Sequence, residues 1–171
     1  MIPIRKIFLV LFVSLSFISV ANSNEIISYL DVDSLLEISK PGKKIITTLS
    51  ELNEKNKSTL KLAEKKLRSL EENINKQKNI MSEDEIKIKI QNLQNEFANY
   101  KENKDKLIND FNNKKNESIK LFFEKATPLI KEYIDKKNIS VVLDKKNIFL
   151  ANNKNDITAD IIKIINENIK W

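Results

Sequence analysis

The stretch Leu70–Phe97, LEENINKQKNIMSEDEIKIKIQNLQNEF, decides the architecture of this chain. Ser82 is followed three residues later by Glu85, the pattern of a capping box, in which a hydroxyl and a carboxylate reciprocally satisfy the first free N–H groups of a helix. A helix therefore starts at Glu83, and the one before it ends by Asn79. Upstream, Ile45, Leu49, Leu52, Leu60, Ala63, Leu67, Leu70 and Ile74 recur mostly in alternating steps of three and four, the mark of a coiled-coil stripe. Downstream, a second stripe runs through Ile86, Ile90, Leu93, Phe97, Tyr100, Leu107 and Phe111, then Ile119, Phe122, Ala126, Ile130 and Tyr133. Two stripes around a short polar segment predict an antiparallel helical hairpin over residues 43–137 with its tip near 79–84. At about 1.5 Å per residue, the outgoing helix from Gly42 to Met81 spans roughly 60 Å and the returning one from Glu83 to Lys137 roughly 80 Å.

The seam is thinly filled. Asn56, Lys104 and Lys115 stand where an apolar group belongs, and the step from Asn56 to Leu60 is a four after a four, a stutter that relaxes supercoiling. Pro128 removes a backbone bond inside the returning helix and is expected to kink it.

Outside the hairpin the pattern changes. Ile26–Leu30 is a β-branched and aromatic run that reads as a strand, and Asp33 or Ser34 is expected to cap a short helix ending at Ser39. Ser39 in turn suits the N-cap of the long helix, with Pro41 in its first turn. After the hairpin, Asn138 takes the left-handed terminating position usually given to glycine. Ile139–Leu143 and Ile148–Ala151 read as two strands, and Asp156 or Thr158 caps a last helix with isoleucines at 157, 161, 162, 164, 165 and 169.

The body so defined, residues 24–42 and 138–171, is too small to bury a core of its own without disulfides or a metal, and this chain has no Cys and no His. Pooling strands between copies is the remedy, and it removes exposed sheet edges. Ile27, Tyr29, Val141, Leu143, Ile148 and Leu150 are the candidate residues of that oligomerisation body. The fold class expected is α+β, mostly α: a long, coiled-coil-like arm on a small β body that closes by oligomerisation.

Residues 1–23 read as a secretory signal, with Arg5 and Lys6 leading the apolar run Ile7–Val20 and Ala21-Asn22-Ser23 as cleavage site. A membrane anchor is disfavoured, because the run is short of the about 20 residues a span needs and three serines interrupt it. Export by a bacterial signal points to the periplasm. The full chain carries 30 basic and 24 acidic residues, and removing residues 1–23 leaves 28 against 24. So small an excess, in a compartment without nucleic acid, excludes nucleic acid as the natural partner.

No catalytic residues, metal ligands or cofactor-binding motif are expected. The chain has one Gly, hence no phosphate-cradling loop, and Asp31, Asp33, Asp144 and Asp156 sit where capping explains them. Enzymatic activity is not expected.

The order of signal, strand, short helix, Ser39 and Gly42-Lys43, long hairpin, Val141-Val142-Leu143-Asp144, Ile148-Phe149-Leu150 and Asp156-Ile157-Thr158 resembles the Skp (OmpH-like) periplasmic chaperones over essentially the whole mature chain. That resemblance implies a jellyfish-like homotrimer whose three tentacles surround a cavity. It also implies an ATP-independent holdase, without cofactor, that keeps unfolded outer-membrane β-barrel proteins soluble. Pro41 beside Gly42, and Asn138 in place of a glycine, depart from the family pattern.

Lys76, Lys78, Lys87 and Lys89 bracket the tip and are candidate contacts for client, anionic lipid or lipopolysaccharide, against a plain solvated surface. Phe97, Tyr100, Phe111 and Phe122 lie on the stripe and are expected to pack against the first helix. Phe123, one residue off it, is the candidate exposed client contact. A structural coiled-coil adaptor and a lipid-binding envelope protein are the competing functional classes.

Overall fold

The computed structural model describes residues 25–170; the signal read into residues 1–23 lies outside them. Strand β1 (Ile26–Leu30) leads into α1 (Val32–Ile38), α2 (Lys40–Gln77), α3 (Glu83–Lys136), β2 (Ile139–Asp144) and α4 (Thr158–Asn168). Single 3-10 turns at Lys145–Asn147 and Asn153–Asn155 separate β2 from α4.

Helix α1 starts earlier than its sequence suggests. Its cap is Asp31, whose carboxylate accepts the Ser34 N–H at 3.1 Å, so neither Asp33 nor Ser34 serves. The Asp31 N–H donates to the Thr158 hydroxyl at 2.9 Å, which fixes Asp31 at the strand end and leaves its side chain aimed along the new helix. The joint to α2 is made by Ser39, whose Oγ accepts the Gly42 N–H at 3.1 Å while donating to the Leu35 carbonyl. Pro41 occupies the first turn of α2, where no N–H is required. Gly42 is obligatory for closeness: a Cβ there would stand 2.1 Å from the Leu36 carbonyl oxygen.

Ser82 caps α3 with both halves of the capping box in place, and α3 continues through Pro128 to Lys136. Asn138 then turns the chain with φ 51°, the left-handed conformation its sequence position suggests. β1 and β2 pair in parallel, with Ile27 opposite Val141 and Tyr29 opposite Leu143. Parallel neighbours need a crossover connection, and here the whole hairpin is that connection.

The sheet has two strands, not three. Ile148–Ala151, expected as a strand, is irregular. The 3-10 turn after Asp144 steers it away from β2, and along β1 the Tyr29 carbonyl already accepts the Ile157 N–H at 3.0 Å. Directed away from β2, and with β1 already occupied, the run pairs with no strand among the described residues, and the outer edge of β2 stays open.

The core sits at the root of the arm. Leu30, Leu35, Ile139, Ile157, Ile161, Ile165 and Ile169 from the body enclose Ile45 of α2 and Phe122 and Ala126 of α3. Burial of this kind stabilises by about 25 cal/mol per Å² of apolar surface. The arm thus lends its base to a body too small by itself. Polar ties complete the clamp: Lys40 N–H donates to Asn166 Oδ1 at 2.6 Å, and the Tyr133 hydroxyl to Asp160 at 2.5 Å.

Candidate functional site

Beyond the root, α2 and α3 meet along a single narrow seam. At 1.5 Å per residue they extend roughly 57 and 81 Å. The half-buried line on α2 is Leu49, Leu52, Asn56, Leu60, Ala63, Leu67, Leu70 and Ile74, the stripe read from its spacing. Asn56 is therefore a seam residue. On α3 the facing line is Ile86, Lys89, Leu93, Glu96, Tyr100, Leu107 and Phe111.

That second line differs from the expected one at Ile90 and Phe97, which are 43% and 60% exposed. Ile90, Phe97 and Ile108 form a neighbouring ridge about a sixth of a turn away from Leu93 and Tyr100, since each residue advances the helix by about 100°. Two apolar ridges lie side by side on α3, and only the position of α2 decides which is covered. Three polar contacts cross the seam. Lys66 reaches Glu96 at 2.8 Å, Lys89 donates to Gln77 Oε1 at 2.9 Å, and the Tyr100 hydroxyl donates to Glu64 at 2.5 Å. The carboxylate beside Tyr100 pushes its phenol pKa up.

The tip is a short turn between Lys78 and Ser82. Ile80 is 86% exposed there. Lys76, Lys78 and Lys87 are exposed as well, but Lys89 is half-buried and tied to Gln77. Glu85 is held below the usual carboxylate range, first by the Ser82 N–H and then by its hydroxyl.

Phe123 is not the exposed contact its spacing suggests. It stacks edge-on against Phe122 with ring centroids 5.1 Å apart and packs on the buried cluster. Near the root α4 packs on α3 as well, so the buried face is wider than the seam and takes in Phe123. Of the body candidates, Tyr29 is buried within its own chain, Ile148 is half-buried, and Ile27, Val141 and Leu143 are each nearly half exposed. Leu150 is 86% exposed and Phe149 wholly so. The outer edge of β2, which carries Val141 and Leu143, is unpaired.

The carboxylates at the strand ends act as caps and ion-pair partners. Lys145 lies 3.6 Å from both Asp31 and Asp156, and Lys146 pairs with Asp33 at 2.6 Å. Asp144 accepts the Lys146 N–H at 3.1 Å. Asp31 is held below the usual range chiefly by the Ser34 N–H, with Lys145 adding to it. At Asp156 burial works upward, but the Thr158 hydroxyl and N–H together with Lys145 outweigh it and the carboxyl titrates low. Tyr133 is pushed up to about 12 by burial and by its bond to Asp160. Among the described residues no cluster of potential metal ligands occurs.

A hairpin arm rooted in a two-stranded parallel unit is a distinctive plan. The family model for outer membrane proteins of the OmpH-like kind matches residues 26–165. The chain belongs to the OmpH-like family. Its fold is shared with the crystal structure of a candidate outer membrane chaperone (OmpH-like) from Caulobacter crescentus CB15. The TM-score is 0.78 at 16% identity, over 85% of this chain and 86% of that one. No curated protein sequence matches this OmpH-like chain.

Proposed function

We propose that this OmpH-like protein is an ATP-independent holdase of the periplasm, which shields unfolded outer-membrane β-barrel proteins between helical arms until they insert. The observation that carries the reading is the contrast within one chain. A packed root holds a slender arm at one end only, and along that arm large apolar groups such as Phe97 and Ile108 stand in solvent. An unfolded barrel protein exposes alternating apolar residues and unpaired strand edges and aggregates in water. Many weak apolar contacts on movable arms keep such chains apart without trapping them. OmpH-like membership and the fold shared with a candidate outer membrane chaperone support a chaperone role.

The working unit in this reading is a homotrimer. The unpaired edge of β2, exposed Val141 and Leu143, and the free segment with Phe149 and Leu150 favour closure with sister copies. The charged, low-excess surface and the signal read into residues 1–23 accord with export.

The test is dilution of a urea-denatured outer-membrane β-barrel protein with and without the mature chain, followed by light scattering. Scattering falls to baseline at one trimer per client if the reading holds. Unchanged scattering removes it and favours the coiled-coil adaptor. A lipid-binding role has one specific observation behind it, exposed Ile80 among Lys76, Lys78 and Lys87. Flotation with anionic vesicles that is lost in 1 M salt, where screening acts within about 3 Å, would establish it as a second activity.

A further inference from the structure

The two flanks of the arm are not alike. On one flank a hollow of about 650 Å³ lies between the helices beside Glu64, Arg68, Leu93 and Phe97, and one of about 500 Å³ lies on α3 alone beside Ile86, Ile90 and Gln94 toward the tip. A third, of about 110 Å³, lies beside Asn56, Leu60, Ile108 and Phe111 toward the root. The other flank is bridged by the Lys66–Glu96 ion pair and the Lys89–Gln77 bond, while the Tyr100–Glu64 bond crosses at the wall of the first hollow. Leu62, one turn before Lys66, stands on that bridged flank, 67% exposed.

The hollowed flank carries the uncovered ridge of α3. Ile90, Phe97 and Ile108 are 43, 60 and 46% exposed, and their separations of seven and eleven residues keep them on one line, since both are close to whole numbers of turns. Lys101 and Lys104 fall on the same line between Phe97 and Ile108. Both are exposed, and no ion pair engages either among the described residues. The line from Ile90 to Ile108 is about 27 Å long at 1.5 Å per residue, the length of roughly eight residues of extended chain at 3.3 Å each.

We infer that this flank, and not the bridged one, is the client track: it takes an extended segment of unfolded chain with alternate apolar residues and interspersed carboxylates. The inference rests on the holdase reading and deepens it. Apolar side chains of the segment enter the hollows against Phe97, Ile90 and Ile108, and its carboxylates meet Lys101 and Lys104. Charge of that sign steers capture, while the open groove leaves the segment free to slide and leave.

The absence of cysteine from the chain makes the experiment clean. A benzophenone maleimide placed through Ile90→Cys, Phe97→Cys or Ile108→Cys, each in the otherwise intact mature protein, is photolysed with a bound, denatured outer-membrane β-barrel protein. Leu62→Cys on the bridged flank is the control, and its greater exposure biases against the inference. Crosslinking to client several-fold above the control at all three positions supports the track. Equal crosslinking from Leu62→Cys, or crosslinking mainly to a sister arm, overturns it while leaving the holdase reading intact. Failure of the unsubstituted protein to suppress aggregation overturns both. In parallel, Lys101→Glu with Lys104→Glu should weaken client binding several-fold more than the charge-matched pair Lys65→Glu with Lys106→Glu. Equal weakening means only net charge matters and removes the track.

Discussion

The root and the arm of this protein are built from the same amino acids to opposite ends. At the root, Phe122, Leu35, Ile161 and Ile165 are wholly shielded from water, and hydrogen bonds bind α4 to both long helices and to Asp31, the cap of α1. Along the arm no side chain is fully buried, the seam accepts Asn56 and Lys89, and exposed apolar groups face water. Rigidity is thus concentrated where the chain must hold its shape, and looseness where the proposed function needs adaptable contact. Stability in such a molecule is a property of the root.

The largest effect that could break this contrast is a cavity. Phe122→Ala should cost about 3–5 kcal/mol, the usual range for a buried phenylalanine, whereas Leu67→Ala in the half-buried seam should cost less than about 2 kcal/mol. Urea unfolding followed by circular dichroism measures both; similar losses would show that the arm is as tightly packed as the root. Next comes the α1–α2 joint. Gly42→Ala forces a methyl group into the Leu36 carbonyl, and an overpacked site of this kind costs roughly 1–3 kcal/mol in the same assay.

The smallest effect concerns acid. Asp31 and Asp156 have folded pKa values below the ordinary carboxylate value of 3.8, so their contribution is present above about pH 4 and is lost as pH falls through the lowered values. The root should loosen in strong acid before the arm loses its helicity. Asp31→Asn keeps the cap but drops the charge, and should flatten the acid limb of a stability-versus-pH curve. An unchanged acid limb would assign the loss to other carboxylates.

Features that depend on neighbours in sequence were legible without a structure. The Ser82–Glu85 capping box, the Ser39 cap with Pro41 inside the first turn, and left-handed Asn138 each involve groups within a few residues of one another. The α2 seam was legible too, because it has one apolar ridge. The α3 ridge was misread at Ile90 and Phe97 because two ridges compete, and Phe123 was misread because α4 widens the buried face near the root. Asp31 displaced Asp33 and Ser34 as cap through a bond to Thr158, 127 residues away.

By itself the sequence determined that there is a hairpin arm, where it turns, and that a small strand-bearing body flanks it. Periodicity and caps are short-range physics, set within a turn or two of the helix. Only the tertiary structure decided which flank of the arm stays open, that the arm's own base completes the core, and that Ile148–Ala151 finds no partner strand. Burial and strand pairing are relations between distant segments, and no local pattern records which face another segment will cover.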